Sequence, residues 1–208
     1  MTRTFSACAA VTCIFLAGCA EAPQSTSSSV SEQSLQLFGD GTVSQVSRAA
    51  LGGKTGEAYK RFTETVDKPF AAFYLSSNGG WGWSAGHFTL DDAKRVSQTV
   101  CQTKTKGPCT LYATISPPAA KVIGGLPNRA EEVLSEARSE NNGGFLVIAK
   151  NPIGSYSFSW NYVGSSVAQR DSIRVCDGAA KRTRAQEEAD LVQAFDAAGL
   201  YKCEIFSV

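Results

Sequence analysis

The chain has 208 residues, 43% of them hydrophobic, with 20 Lys and Arg against 19 Asp and Glu and a single histidine. That length suits one ordinary domain with a real core. The near-neutral charge, with no basic stripe, speaks against a nucleic-acid binder.

Residues 1–18 carry Arg3 and then an apolar run from Phe5 to Ala17, too short to span a membrane as a mature helix, which reads as a signal peptide. The run closes on Leu16-Ala17-Gly18-Cys19. This tetrad resembles the lipobox of bacterial lipoproteins, and the resemblance implies cleavage before Cys19 and lipid on that cysteine. An ordinary secretory signal cut nearby, or an uncleaved anchor, is the alternative. Ala20, not Asp, follows, which by the same resemblance implies the periplasmic face of the outer membrane over the inner one. Several acyl chains, at about 0.8 kcal/mol per buried methylene, make a stable anchor. Residues 19–33, rich in Ser, Thr, Gln and Pro, form a tether with almost nothing to bury. A single domain is expected over 34–208.

Within that domain the first predicted elements are a short strand at Leu35 to Phe38 and a short helix near Val43 to Leu51. Gly52-Gly53-Lys54-Thr55 looks like the end of a phosphate-binding loop, but Arg48 stands where the pattern requires glycine, so no nucleotide site is expected. Thr55 is instead expected to cap a helix over Glu57 to Val66, whose Ala58, Phe62 and Val66 share one face. An apolar run, Phe70 to Leu75, reads as an interior strand. After the turn residues Ser76 to Gly80, a strand alternates Trp81, Trp83 and Ala85 against Gly82, Ser84 and Gly86. A helix follows, with Thr89 as cap, Asp91 and Asp92 in its first turn, and Leu90, Ala93, Val96 and Val100 as its inner stripe. Cys109 heads a last strand, Cys109 to Ala113.

The same order then recurs. Asn128 with Glu131 caps an opening helix, Phe145 to Ala149 is the interior strand, and Asn151 to Gly154 is the turn. Tyr156, Phe158, Trp160 and Tyr162 then alternate with Ser157, Ser159 and Asn161. Ser165 or Ser166 caps the next helix, with Val167, Ala168, Ser172 and Val175 inward. Placed in register, 81–101 and 156–176 share Ser84/Ser159, Ala93/Ala168, Arg95/Arg170, Ser97/Ser172, Val100/Val175 and Cys101/Cys176. Chance would leave roughly one or two identities, so the domain is a degenerate internal repeat. Its units span about 55–115 and 128–208. The second carries an insertion between its cysteines, with Thr183 and Gln186 as a capping box and Gly199 as a helix stop.

Seven cysteines are present. With Cys8 and Cys13 in the signal and Cys19 the lipid site, Cys101, Cys109, Cys176 and Cys203 remain and allow three connectivities. Each repeat holds one cysteine at a helix end and one at the head of a strand, which selects Cys101–Cys109 and Cys176–Cys203. A four-thiolate zinc site would need the short Cys-x-x-Cys spacings that are missing here. The expected fold is therefore α+β: two α-β-β-α-β repeats forming one sheet backed by helices, with two disulfides inside the repeats.

The Trp-Gly-Trp-Ser hairpin, Gly86, the Ala-containing helix closing at Cys101, and Cys109 with Leu111-Tyr112-Ala113 together resemble small exported bacterial domains of unknown function. That resemblance implies an exported, disulfide-bridged α+β domain and transfers no catalytic residue, cofactor or metal. Ser84, His87 and Asp91 or Asp92 are the right types for hydrolysis or for a metal. In a strand, however, residues three apart point to opposite faces, and His87 is expected at a hairpin edge on the surface. The aromatic strand faces are expected to be core against the helices that follow them, in preference to a platform for sugars. The small polar faces, with Ser84, Ser159 and Asn161, are expected to meet a partner, either an envelope protein or peptidoglycan. The leading expectation is thus a lipid-anchored, non-enzymatic envelope protein; the alternative is a small periplasmic hydrolase using Ser84 or His87.

Overall fold

The computed structural model describes residues 41–68, 70–117 and 128–206, without the side chains of 128–132. The signal peptide, Cys19, the tether and the strand expected at Leu35 to Phe38 lie outside the described residues, as does the cap expected of Asn128 with Glu131. In chain order the elements are β1 (Thr42–Gln45), α1 (Gly53–Thr63), β2 (Ala71–Ser76), β3 (Trp81–Ser84), α2 (Leu90–Thr105) and β4 (Cys109–Ser116). Then come α3 (Asn128–Glu140), β5 (Phe145–Lys150), β6 (Tyr156–Tyr162), α4 (Ser165–Arg184), α5 (Ala189–Ala197) and β7 (Glu204–Phe206). The fold class is α+β. Both copies of the order helix, strand, strand, helix, strand lie in one compact unit, Glu32–Val208.

The apolar runs are central strands, as their composition required: β2 lies between β4 and β3, and β5 between β6 and β7. All pairings are antiparallel. The two repeats build equivalent sheets, β4-β2-β3 and β7-β5-β6, with β1 added to the β4 edge of the first. They do not fuse into the one sheet expected, because side chains and helices meet between the repeats in place of strand edges. Phe88, just past β3, enters the second repeat and packs with Leu134 and Ile148, its ring 5.8 Å from those of Tyr156 and Phe206. Val96 of α2 packs with Leu191 and Phe195 of α5. The bridges are Cys101–Cys109 and Cys176–Cys203.

Several local expectations are corrected. The segment read as a helix near Val43 to Leu51 begins as β1, with Val43 opposite Ile115, and then runs without regular structure. Tyr112 determines this: its carbonyl accepts from the backbone of Val46 and Ser47, and its hydroxyl donates to Ala49 O. Gly52, not Thr55, is the N-cap of α1; Thr55 lies inside the first turn and donates to Gly79 O across the hairpin. Helix α4 starts from Gly164 without a side-chain cap and continues beyond Cys176 to Arg184, so Thr183 is helical and no capping box forms. Its last turn carries Lys181, Arg182 and Arg184, which suit the negative end of a helix. Thr89 does cap α2, accepting from Asp92 N at 3.0 Å, and Gly199 ends α5 at φ 66°.

The strand faces are also the reverse of the expectation. Trp81 and Trp83 pack on the cluster of Phe62, Phe73 and Tyr112, on the α1 side. Gly82 and Ser84 instead lie under α2, so close that a Cβ on Gly82 would stand 2.3 Å from Cys101 N. In the second repeat Ser157 and Ser159 are buried beneath α4 in the same way. Small side chains were the condition for close helix-on-sheet packing, not a sign of an open face.

Candidate functional site

The residues with chemical potential gather where the repeats meet. Strand β3 ends at Ser84, and Gly86 turns the chain at φ 86°, a conformation that only glycine adopts without strain. His87 is thereby brought back over Ser84, with its Nε2 2.9 Å from Ser84 Oγ. The strand rule of opposite faces does not apply past the turn. His87 is 4% exposed, so it is an interior residue and not the surface one expected.

The proton positions follow from the partners. His87 Nδ1 lies 2.7 Å from Pro152 O, and a carbonyl can only accept, so Nδ1 carries the hydrogen. Burial holds the imidazole below its ordinary pKa, so the ring is neutral and Nε2 accepts from the Ser84 hydroxyl. The Pro152 carbonyl and Asp92 act in the opposite direction and Lys150 with burial. With its one hydrogen committed, Ser84 Oγ accepts from Ser97 Oγ at 2.7 Å. In the second repeat Ser172 and Ser159 form the equivalent serine pair at 3.1 Å, and Tyr162 replaces the histidine. The pair is therefore a feature of the repeat; the histidine belongs to the first copy alone.

Beside His87, Lys150 of β5 donates to Asp92 of α2 at 2.6 Å, both side chains 6% exposed, with Glu204 3.4 Å from the ammonium. Lys150 also lies over the Phe206 ring. This buried pair joins one repeat to the other, and nothing in the spacing of 92 and 150 announced it. Among the described residues, no group of three or more His, Cys, Asp and Glu side chains could hold a metal ion.

Of the residues expected to face a partner, Ser159 is buried and Ser84 is engaged by His87 and Ser97, so those two are corrected to interior positions. Asn161 is exposed. It takes φ 63° at the end of β6, and its side chain accepts from Asn142 N and donates to Glu140 O, tying the β6 end to the loop before β5. A cleft of about 460 Å³ opens here, lined by Asn142, Phe145, Asn161, Tyr162 and Val163. Trp81 stacks on Phe73 and Trp83 meets Phe62 edge-on, which leaves them in the core and not in a sugar-binding platform.

The cleft leads to a surface that sequence reasoning missed. Val163, Val167 and Val175 are 99%, 45% and 41% exposed, although Val167 and Val175 were expected to be inward. Their equivalents in the first repeat are Phe88, Asp92 and Val100. Phe88 is fully buried, Asp92 forms the interior ion pair, and Val100 packs against the α5 cluster. The fourth member of the line, Val96, is buried there, and its counterpart Asp171 accepts from Tyr162 at 2.6 Å and from Arg174. The signal was available in the repeat register: the stripe spaced by four residues recurs. Comparison with protein-family models, curated proteins and solved structures finds no match for this chain.

Proposed function

We propose that this chain is a non-enzymatic binding protein of the bacterial cell envelope, anchored through lipid on Cys19 to the periplasmic face of the outer membrane, and that the exposed line of α4 takes a protein partner. The anchor rests on the lipobox resemblance. The binding role rests on one observation: the surface that docks the first repeat onto the second is present a second time, as Val163, Val167 and Val175, facing outward. Solitary exposed apolar residues need no explanation, but a line of them in the register of an interface does. The Asn161 cleft adjoins the Val163 end of that line.

Photo-crosslinking residues placed singly at 163, 167 and 175 in the full chain, in living cells, test this. Discrete adducts are expected from these positions and not from Val46, an exposed apolar residue outside the line. Equal adduct patterns at all four positions, or none, would end the reading. Failure of the natural chain to take up labelled fatty acid, with the same result for Cys19→Ala, would remove the anchor.

A second reading, a periplasmic hydrolase, is favoured by the Ser84, His87 and Pro152 carbonyl arrangement, in which a neutral imidazole accepts from the serine. Against it stand the burial of His87 and the retention of the serine pair where there is no histidine. Fluorophosphonate labelling of Ser84 that His87→Ala abolishes would make this the better reading.

A further inference from the structure

The internal interface states what kind of partner the outward face of α4 is built for. On α2, the cover is α5, a nine-residue helix whose Leu191 and Phe195, four residues apart, pack with Val96, Leu200 closing the cluster. Both ends of that helix are held by cations. Arg95 donates to Ala198 O at its C-terminus, 3.2 Å, and Lys106 lies 3.7 Å from Asp190 in its first turn. Arg95 belongs to the start of α2 and Lys106 to its end, so α5 runs antiparallel to α2.

Both cations recur on α4. Arg170 stands where Arg95 does, and Lys181 where Lys106 does; both are exposed. In a continuous helix the spacing from 170 to 181 closes about three turns, so the two share a face. Val167 and Val175 lie on the adjoining strip, and Asp171 between them is already engaged by Tyr162 and Arg174. The first repeat cannot supply the missing cover. Its loop between Cys101 and Cys109 is too short for a helix, whereas α5 lies within the 27-residue separation of Cys176 and Cys203.

Building on the binding reading above, we propose that α4 takes an amphipathic helix from a protein partner. That helix lies antiparallel to α4, with apolar residues four apart on Val167 and Val175, an acidic residue in its first turn at Lys181, and its last carbonyls at Arg170. Cations suit a helix C-terminus, and a carboxylate suits its N-terminus, so the polarity is set by the two ends. Recognition of this kind lays an apolar helix face on a matching apolar surface.

The probe is the chain's own example of such a helix: a fluorescent, lactam-stapled peptide with the sequence of residues 188–200, stapled because a free helix this short is marginal in water. Titrated with the intact protein, it is expected to bind saturably. Val167→Asp should weaken binding at least tenfold, and Arg170→Ala with Lys181→Ala should weaken it severalfold and flatten its salt dependence. Absence of saturable binding, or binding indifferent to Val167→Asp, overturns the proposal. So does a protein that self-associates through this face and becomes monomeric on Val167→Asp, since the occupant is then a second copy. Circular dichroism of each variant confirms that the fold is intact. Crosslinks from positions 163, 167 and 175 without peptide binding would leave the binding reading standing and remove only the helix; peptide binding without crosslinks would do the reverse.

Discussion

On α2 the line Phe88, Asp92, Val96 and Val100 is covered by the second repeat, while on α4 the equivalent line Val163, Val167, Asp171 and Val175 is largely open. The two helices start from the same pattern, with Ala93 and Ala168, Ser97 and Ser172, and Cys101 and Cys176 turned to their own sheets. What separates them is an insertion elsewhere. Helix α5 exists only in the second repeat, so only α2 has a neighbour to lie against it. A covered line can use an aromatic ring and a carboxylate paired across the interface. The open one keeps small β-branched residues and ties its one carboxylate to its own helix. The comparison teaches that a duplicated element carries a duplicated surface, and that its use depends on what the other copy offers.

The largest expected effect comes from making the covered line resemble the open one. Asp92→Val installs the residue of position 167 and leaves Lys150 buried with only the more distant Glu204. Breaking a buried pair in this way costs about 3–5 kcal/mol. Adding Lys150→Leu, the residue of the equivalent position 75, should recover most of that loss. Denaturant unfolding of the single and double variants measures both, and an unchanged midpoint for Asp92→Val would show that the pair does not hold the repeats together.

The bridges give the next contrast. Replacing Cys176 and Cys203 by Ala opens the loop containing α5 and should cost about 3.6 kcal/mol, against about 2.6 for the same change at Cys101 and Cys109, from loop-closure entropy. Thermal melts of the two variants should therefore rank in that order. The reverse order would mean that the α5 loop keeps its structure in the unfolded chain.

The smallest effect distinguishes His87 from its counterpart Tyr162. Burial lowers the folded pKa of His87 below the ordinary value of about 6.5, so the unfolded chain binds the extra proton. Its contribution is then complete above that value and is lost as pH falls towards the folded pKa, with a slope of at most about 1.4 kcal/mol per pH unit. His87→Gln should flatten this part of the stability profile. A slope unchanged by the substitution would assign the pH dependence to other groups.

Much of the frame was legible because it is repeated. The central strands were continuous apolar runs, and Thr89 and Gly199 marked helix ends by local chemistry. The cysteine pairs followed from the register. The failures share one cause, which is contact between parts remote in sequence. Tyr112 draws residues 46–49 out of a helix, and Trp81 and Trp83 turn to α1 because α2 needs Gly82 beneath it. At the site, Gly86 could have signalled the turn that joins His87 to Ser84. The partner of Lys150 could not have been found from spacing, and the openness of Val167 depends on the absence of a helix from the first repeat.

The central claim, that one line is an internal interface and its copy a free surface, is tested most directly by the same substitution at the same place in both. Unfolding free energies of the full chain with Phe88→Asp and with Val163→Asp should differ widely. The first buries an unpaired carboxylate in an aromatic cluster and should lose at least the ~3–5 kcal/mol of a buried Phe truncation. The second should stay within about 0.5 kcal/mol, as a surface change does. A comparable loss from Val163→Asp would contradict the account, because the line on α4 would then already be covered.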